Sequence, residues 1–275
     1  MNYNYKRDIC NGNDNNCSYS DDRSDTANNG CSDTYSNNCC NDVSGKAEVQ
    51  NGIDETVSQR SRLIWETGEA FLNGNSDEHH IHLLTIIGEI EGHDLAGSQV
   101  KTTKYEHLLP RLAMIENDES TDGLLLLLNT TGGDVDAGLS IAEMIASLSK
   151  PSVSLVLGGS HSIGVPLAVS TTWSFIVPTG TMIIHPVQMS GRVIGAPQTY
   201  EYNKRIQDRI TGFIAEHSNI SQKQLENMMM ENTKLTRDLG TLLIGKEAVQ
   251  AGVIREIGGI QEALTKLHEL IAQQG

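Results

Sequence analysis

A serine stands where a strand-like segment runs through glycines into the start of a helix. Ser162 follows Gly158-Gly159 and precedes Gly164, after which small apolar residues continue the segment. A side chain in the first turn of a helix lies beside free backbone N–H groups, which favour developing negative charge. A serine hydroxyl there is placed for nucleophilic attack on a carbonyl carbon. The same pattern also fits a serine that only caps the helix.

A histidine and an aspartate further along the chain are candidate partners for this serine. His185 ends the apolar segment 181–184 and precedes Pro186. A general base must accept the serine proton on one ring nitrogen, while a carboxylate holds the other. Asp238, which follows Arg237, is the candidate acid. An Arg-Asp pair is, however, also typical of a surface ion pair.

A glycine turn is the fourth element that could take part in chemistry. The sequence Asn129-Thr-Thr-Gly132-Gly133 joins an apolar strand to a helix that begins near Val135. Glycines let the backbone approach a ligand closely, so an N–H group of this turn could stabilise an oxyanion. One such donor contributes roughly 100- to 1000-fold in rate. The alternative is a tight turn that merely needs positive φ.

Other polar residues have weaker patterns. His80 and His82 share one face of a predicted strand and lie beside His79, but no Cys or Asp set completes a metal site, so we expect a solvated strand edge. Lys204 is the first candidate for a Ser-Lys dyad. The five cysteines all lie in the N-terminal segment at spacings that match no zinc pattern. We predict neither a metal nor a cofactor.

Composition bounds the domain organisation and the class of partner. Residues 1–58 are rich in Asn, Asp, Ser and Cys, which predicts a disordered tail before a domain at 59–275. The net charge is −15 and no basic cluster interrupts it, which argues against nucleic acid and anionic membranes. The apolar run Leu124–Leu128 is too short to span a bilayer. These features, with no secretory leader, predict a cytoplasmic protein.

Strand-like and helix-like segments alternate from residue 81 onward. This order predicts an α/β architecture with right-handed crossovers and a helical C-terminal third. The predicted strands are 81–90, 123–129, 152–157, 172–177 and 181–184. The predicted helices are 105–116, 135–149, 163–170, 197–216, 221–231 and 260–272.

The ordered motifs resemble the Clp protease proteolytic subunit family, and within it the branch of translocation-enhancing proteins. The resemblance covers about 81–258 and rests on the glycine turn, Ser162-Ile-Gly, Met182-Ile-Ile-His185-Pro, Arg237-Asp238 and Glu247-Ala-Val-Gln-Ala-Gly. It implies a ClpP/crotonase-like fold with repeated ββα units. This sequence departs from the family pattern in lacking a proline in the glycine turn and in placing Pro186 directly after His185.

The resemblance also implies a function. It predicts a serine-type peptidase that cleaves polypeptides within a homo-oligomeric ring, with a Clp-type ATPase as a candidate partner. The implied site residues are Ser162 as nucleophile, His185 as base, Asp238 as orienting acid, the amides of Gly133 and Ile163 as oxyanion hole, and Gly132 and Gly191 as substrate-binding positions.

Two alternatives stay open at the level of sequence. One is a non-enzymatic ring scaffold or translocation factor that keeps the fold. The other is an acyl-CoA enzyme of the crotonase type, which also uses paired backbone amides as an oxyanion hole. The presence of both Ser162 and His185 argues against the acyl-CoA alternative and only weakly against the scaffold.

Overall fold

A computed structural model describes residues 62–64, 66–72, 79–94, 96–188, 195–232 and 239–274 of the chain. The predicted disordered tail, Gly191 and Asp238 lie outside these residues. The strands are Ala70–Leu72 (β1), Ile81–Glu91 (β2), Thr102–Lys104 (β3), Gly123–Gly133 (β4), Ser152–Ser160 (β5), Trp173–Ile176 (β6), Thr181–Ile184 (β7), Thr241–Ile244 (β8) and Glu256–Ile257 (β9). The helices from residue 105 onward are Tyr105–Asn117 (α1), Val135–Ala146 (α2), Gly164–Val169 (α3), Ala196–His217 (α4), Gln222–Met229 (α5), Lys246–Gln250 (α6) and Ile260–Ala272 (α7).

The main sheet has the strand order β1-β2-β4-β5-β6-β9. The neighbours from β2 to β9 are parallel, and β1 is an antiparallel edge strand. Parallel neighbours need crossover connections, which α1, α2 and α3 supply. The predicted alternation of strands and helices is therefore confirmed, and the carboxyl ends of β4 and β5 lie at the same edge of the sheet.

Both faces of the sheet are covered, as the unbroken apolar run in β4 predicts. Side chains alternate between the two faces of a strand, so Leu124, Leu126 and Leu128 pack into the larger core cluster. Leu125 faces the opposite side, where it belongs to a second cluster. Helix α7 covers that second face with Ala263, Leu267 and Ile271. Sequence reasoning placed α7 at the residues where the structure has it.

A short second sheet begins at the end of β5, which it shares with the main sheet. Residues 153–156 of β5 pair with β6, whereas Gly159 pairs with Thr181 of β7. Strand β7 in turn pairs antiparallel with β8, a strand that the sequence analysis missed. The last residues of β5 therefore leave one sheet for the other. This is the point at which the chain turns toward Ser162.

Several element ends differ from the predicted ones. Strands β4 and β5 extend through their glycines, because Thr130 still pairs with Ser160 and Gly133 with Ile90. Helix α2 ends at Ala146 rather than at residue 149. Its predicted last turn is replaced by hydrogen bonds from the Ser149 N–H and hydroxyl to the Glu116 carboxylate, at 3.0 and 2.7 Å.

Candidate active site

Ser162 lies on a strained turn between β5 and α3. Its φ is 55°, and it is the one non-glycine residue with positive φ in the described part of the chain. Such a conformation costs on the order of 1–3 kcal/mol and persists only where surrounding contacts enforce it. Here the Ser162 N–H donates to the Ile183 carbonyl at 2.9 Å, and the Ser162 carbonyl accepts from Val165 at 3.0 Å. The turn presents the half-buried Ser162 side chain to a cavity at the end of the sheet.

The glycine turn after β4 packs directly against this serine. Gly132 has φ 91°, and a Cβ built on it would lie 2.7 Å from the His161 carbonyl oxygen and 2.8 Å from Ser162 Cβ. Its N–H donates to the Thr130 hydroxyl at 3.1 Å, and that hydroxyl donates to the Gly88 carbonyl at 2.6 Å. Both contacts hold the turn in place. No larger residue fits at position 132 without displacing the serine.

The backbone amides of Gly133 and Ile163, which the resemblance implies as oxyanion donors, belong to the segments on either side of the serine. The Asp134 N–H donates to the Ile90 carbonyl of β2 at 2.9 Å. Gly133 is the last residue of β4 and lines the cavity beside Ser162. Ile163 immediately precedes α3, where N–H groups lack a partner within the helix. The Ser162 amide is not free, because the Ile183 carbonyl binds it.

His185 follows β7 and lines the same cavity as Ser162. Its Nδ1 lies 2.7 Å from the Pro186 carbonyl oxygen. A carbonyl only accepts, so Nδ1 carries the hydrogen and Nε2 of the neutral ring carries the lone pair. That tautomer is the one a general base needs if it is to accept a proton from a serine hydroxyl. Pro186, which appeared in the sequence only as a departure from the family motif, thus supplies a hydrogen-bond acceptor for the ring.

The cavity has a volume of about 290 Å³, and aliphatic residues and a methionine line it together with polar groups. Thr131 and Gln188 add polar groups at its edge, and neither was predicted from the sequence. The described residues that line the cavity include no carboxylate. The apolar wall is formed by Val135, Ile163, Val165, Ile184, Val187, Ile210, Ile214 and Met229.

The structure gives the other sequence candidates different surroundings. His82 is buried with its Nε2 3.2 Å from Glu69 Oε2, and His80 donates from Nδ1 to the Ser120 carbonyl at 3.0 Å. The prediction of a solvated edge is therefore wrong for His82, because a buried carboxylate holds its ring. Within the described ranges no three His, Cys, Asp or Glu side chains form a metal-binding group. Lys204 is exposed on α4 and does not line the cavity that holds Ser162.

Comparison with known proteins assigns the family. The model of the Clp protease family matches residues 84–261, and the chain belongs to that family. The chain is 52% identical over 198 residues to the translocation-enhancing protein TepA of Halalkalibacterium halodurans, a match that covers 72% of this chain and 77% of that protein. It is 28% identical over 125 residues to the ATP-dependent Clp protease proteolytic subunit of Lactococcus lactis, which covers 43% of this chain and 62% of that protein.

Solved structures give the same result for the fold. A ClpP1 mutant from Listeria monocytogenes superimposes with a TM-score of 0.52 at 23% sequence identity, over 66% of this chain and 94% of that one. The predicted ClpP-like α/β fold with a helical C-terminal region is confirmed. Among the described helices none is both long and apolar enough to cross a membrane.

Proposed function

We propose that this protein is a serine peptidase in which Ser162 is the nucleophile and His185 the general base. The observation that carries the proposal is the strained backbone of Ser162 at the mouth of a cavity that His185 also lines. Strain of this kind collects at functional sites, because a turn that only caps a helix does not need it. Membership of the Clp protease family supports the same chemistry.

The proposed reaction is acyl transfer to the serine oxygen. His185 Nε2 accepts the proton of the Ser162 hydroxyl as that oxygen attacks the peptide carbonyl, and then donates it to the leaving amine. The amides of Gly133 and Ile163 hold the oxyanion. Water then attacks the acyl-enzyme: His185 accepts the proton of the water and returns it to the Ser162 oxygen as the acid product leaves. The Pro186 carbonyl holds Nδ1–H of the resting base, and Asp238 stabilises the ring when it becomes an imidazolium.

The substrate that fits is a polypeptide with an apolar side chain beside the scissile bond. Seven aliphatic side chains and a methionine line the cavity, so burial of an apolar group against them is favourable. Gly132 and Gly191 are the proposed positions at which the peptide backbone binds. A basic or acidic side chain in the cavity would lose its hydration without gaining a described partner of opposite charge.

We further propose that the active form is a homo-oligomeric ring. Support comes from the first half of α4, where residues 196–205 contain no buried side chain and carry the exposed Tyr200 and Tyr202. Three turns of helix with exposed aromatic rings are typical of a surface that a second subunit covers. A Clp-type ATPase partner and a cytoplasmic location are further parts of the proposal.

Turnover of a fluorogenic peptide with a leucine or methionine before the scissile bond tests the activity. Wild type is expected to cleave the peptide, and both Ser162→Ala and His185→Gln should reduce cleavage to the level of a blank. Asp238→Asn tests the acid and is expected to lower kcat while leaving the fold intact.

The same experiment tests the scaffold alternative. Assembled wild-type protein that cleaves no peptide, and whose native mass is unchanged by Ser162→Ala, would overturn the peptidase proposal and favour a non-enzymatic ring. Cleavage that persists in the Ser162→Ala variant would show that another residue is the nucleophile.

A further inference from the structure

The histidine that precedes the nucleophile lies outside the cavity that Ser162 and His185 line. His161 is half-buried, and its ring packs on Gly159 of β5. A Cβ at Gly159 would lie 2.8 Å from His161 Nε2 and 3.1 Å from Cε1, so the glycine leaves the space that the ring fills. His161 is therefore not a second base that faces the substrate, and its contacts have to be sought behind the site.

Those contacts join the serine turn to β7. His161 Nε2 lies 2.9 Å from the Thr181 hydroxyl oxygen, and that hydroxyl lies 3.2 Å from the Gly158 carbonyl. The carbonyl can only accept, so the threonine hydrogen goes to Gly158 and the threonine oxygen accepts from His161 Nε2–H. Thr181 is also the residue of β7 that pairs with Gly159 of β5. The hydrogen bonds thus close a link between β5, the serine turn and β7.

Strand β7 leads directly into His185. Thr181 is its first residue, and the Ile183 carbonyl near its other end binds the Ser162 N–H at 2.9 Å. The strand is therefore tied to the serine turn at two points, once by a main-chain bond and once by the side chain of His161. Pairing with β8 holds β7 on its other side, and the two ties to the serine turn set the distance and angle between β7 and that turn.

We propose that His161 and Thr181 form a brace that sets the position of the His185 ring relative to Ser162. The inference rests on the proposed function, and it makes His161 a positioning residue rather than a catalytic one. Proton transfer needs the serine oxygen and the base within about 2.6–3.2 Å. Because a misplacement of about 1 Å costs on the order of 100-fold in rate, a small shift of β7 relative to the serine turn lowers kcat with little effect on binding.

The electrostatics of the brace favour a neutral His161. Burial, and then the proximity of His185, lower the pKa of the His161 ring below its ordinary value of 6.5. A neutral ring adds no second positive charge beside His185 when His185 accepts the serine proton. The residue therefore ties β7 to the turn through a donor N–H without opposing the charge that forms in the reaction.

Four variants test the brace. His161→Phe and Thr181→Val remove the hydrogen bond and keep the approximate size, and we expect kcat to fall about 10- to 100-fold with KM within about threefold. His161→Gln and Thr181→Ser keep a donor and a hydroxyl, and should recover activity to within about threefold of wild type. The double variant His161→Phe/Thr181→Val should be no slower than the slower single variant, because both break one link.

Two results would overturn the brace. One is a folded Phe or Val variant that keeps kcat within twofold of wild type. The other is a Gln or Ser variant that is no better than its partner lacking the hydrogen bond, since packing alone would then explain the loss. The melting temperature and native mass of each variant are measured beside its kinetics, so that a folding or assembly defect is recognised as the cause of a lost rate.

A measurement that needs no turnover separates the brace from the proposed function. If wild type and Ser162→Ala are equally inactive, the peptidase proposal fails, and nitrogen-15 spectra of the histidine rings still test the link. The brace predicts a His161 ring protonated at Nε2, and His185 resonances that move in Thr181→Val and return in Thr181→Ser. Unchanged His185 resonances in a folded Thr181→Val protein would contradict it.

Discussion

Replacing Gly132 by alanine tests whether the glycine turn holds the nucleophile in position. Alanine at φ 91° costs about 1–2 kcal/mol through its backbone conformation alone. Its Cβ would also lie 2.8 Å from Ser162 Cβ, whereas carbon atoms pack at about 3.5–4.0 Å. The serine therefore has to retreat by about 1 Å. A shift of that size predicts a loss of about 100-fold in kcat.

The measurement is the rate of fluorophosphonate labelling together with peptide turnover, at a temperature where circular dichroism shows the variant folded. Gly212→Ala is the matched control, since no atom lies within 4 Å of a Cβ there and the residue is inside α4. That control should label at the wild-type rate and gain about 0.5–1 kcal/mol of stability. A folded Gly132→Ala protein that labels within twofold of wild type would refute the proposed contact between the turn and the serine.

Three other features make testable predictions. Because the backbone of Ser162 is strained, Ser162→Gly should unfold with about 1 kcal/mol more free energy than Ser162→Ala in urea titrations, and equal stability would show that φ 55° costs nothing. Glu69 lies 3.2 Å from His82 and 3.0 Å from Arg111 in a buried network, so Glu69→Ala should destabilise the protein by about 2–4 kcal/mol in the same titration, and a loss below 0.5 kcal/mol would contradict that role. Because the pKa of His161 is lower in the folded protein than in the unfolded chain, the unfolded chain binds a proton at this residue at a higher pH. The free energy of unfolding should therefore fall as the pH drops below about 6.5, and His161→Gln should reduce this dependence of stability on pH.

The parallel sheet could be predicted from sequence because its signals are local and strong. Five leucines in succession in β4 require burial on both faces, and the stripe of α7 fixes which side of that helix packs. The strands that could not be predicted from the sequence are short, or are defined by pairing with strands that are distant in the chain. β8 has four residues, and only its pairing with β7 distinguishes it from a loop.

The site could be predicted in its residue types but not in its geometry. Glycines and a helix start identified the serine turn, yet the positive φ of Ser162 follows from hydrogen bonds to Ile183 and Val165, which are contacts made only in the folded chain. The Pro186 carbonyl that holds His185 is a main-chain group, so a pattern of side chains cannot predict it. The bond of His161 to Thr181 joins residues 20 positions apart, so it too is a contact made only in the folded chain.

The most direct test of the central claim is mass spectrometry of the whole chain after reaction with a fluorophosphonate, followed by mapping of the modified residue. The peptidase account predicts one adduct per chain, on Ser162, that is absent in Ser162→Ala and slowed in His185→Gln. A folded, assembled wild-type protein that takes no adduct, or one whose adduct lies on another residue, would contradict it.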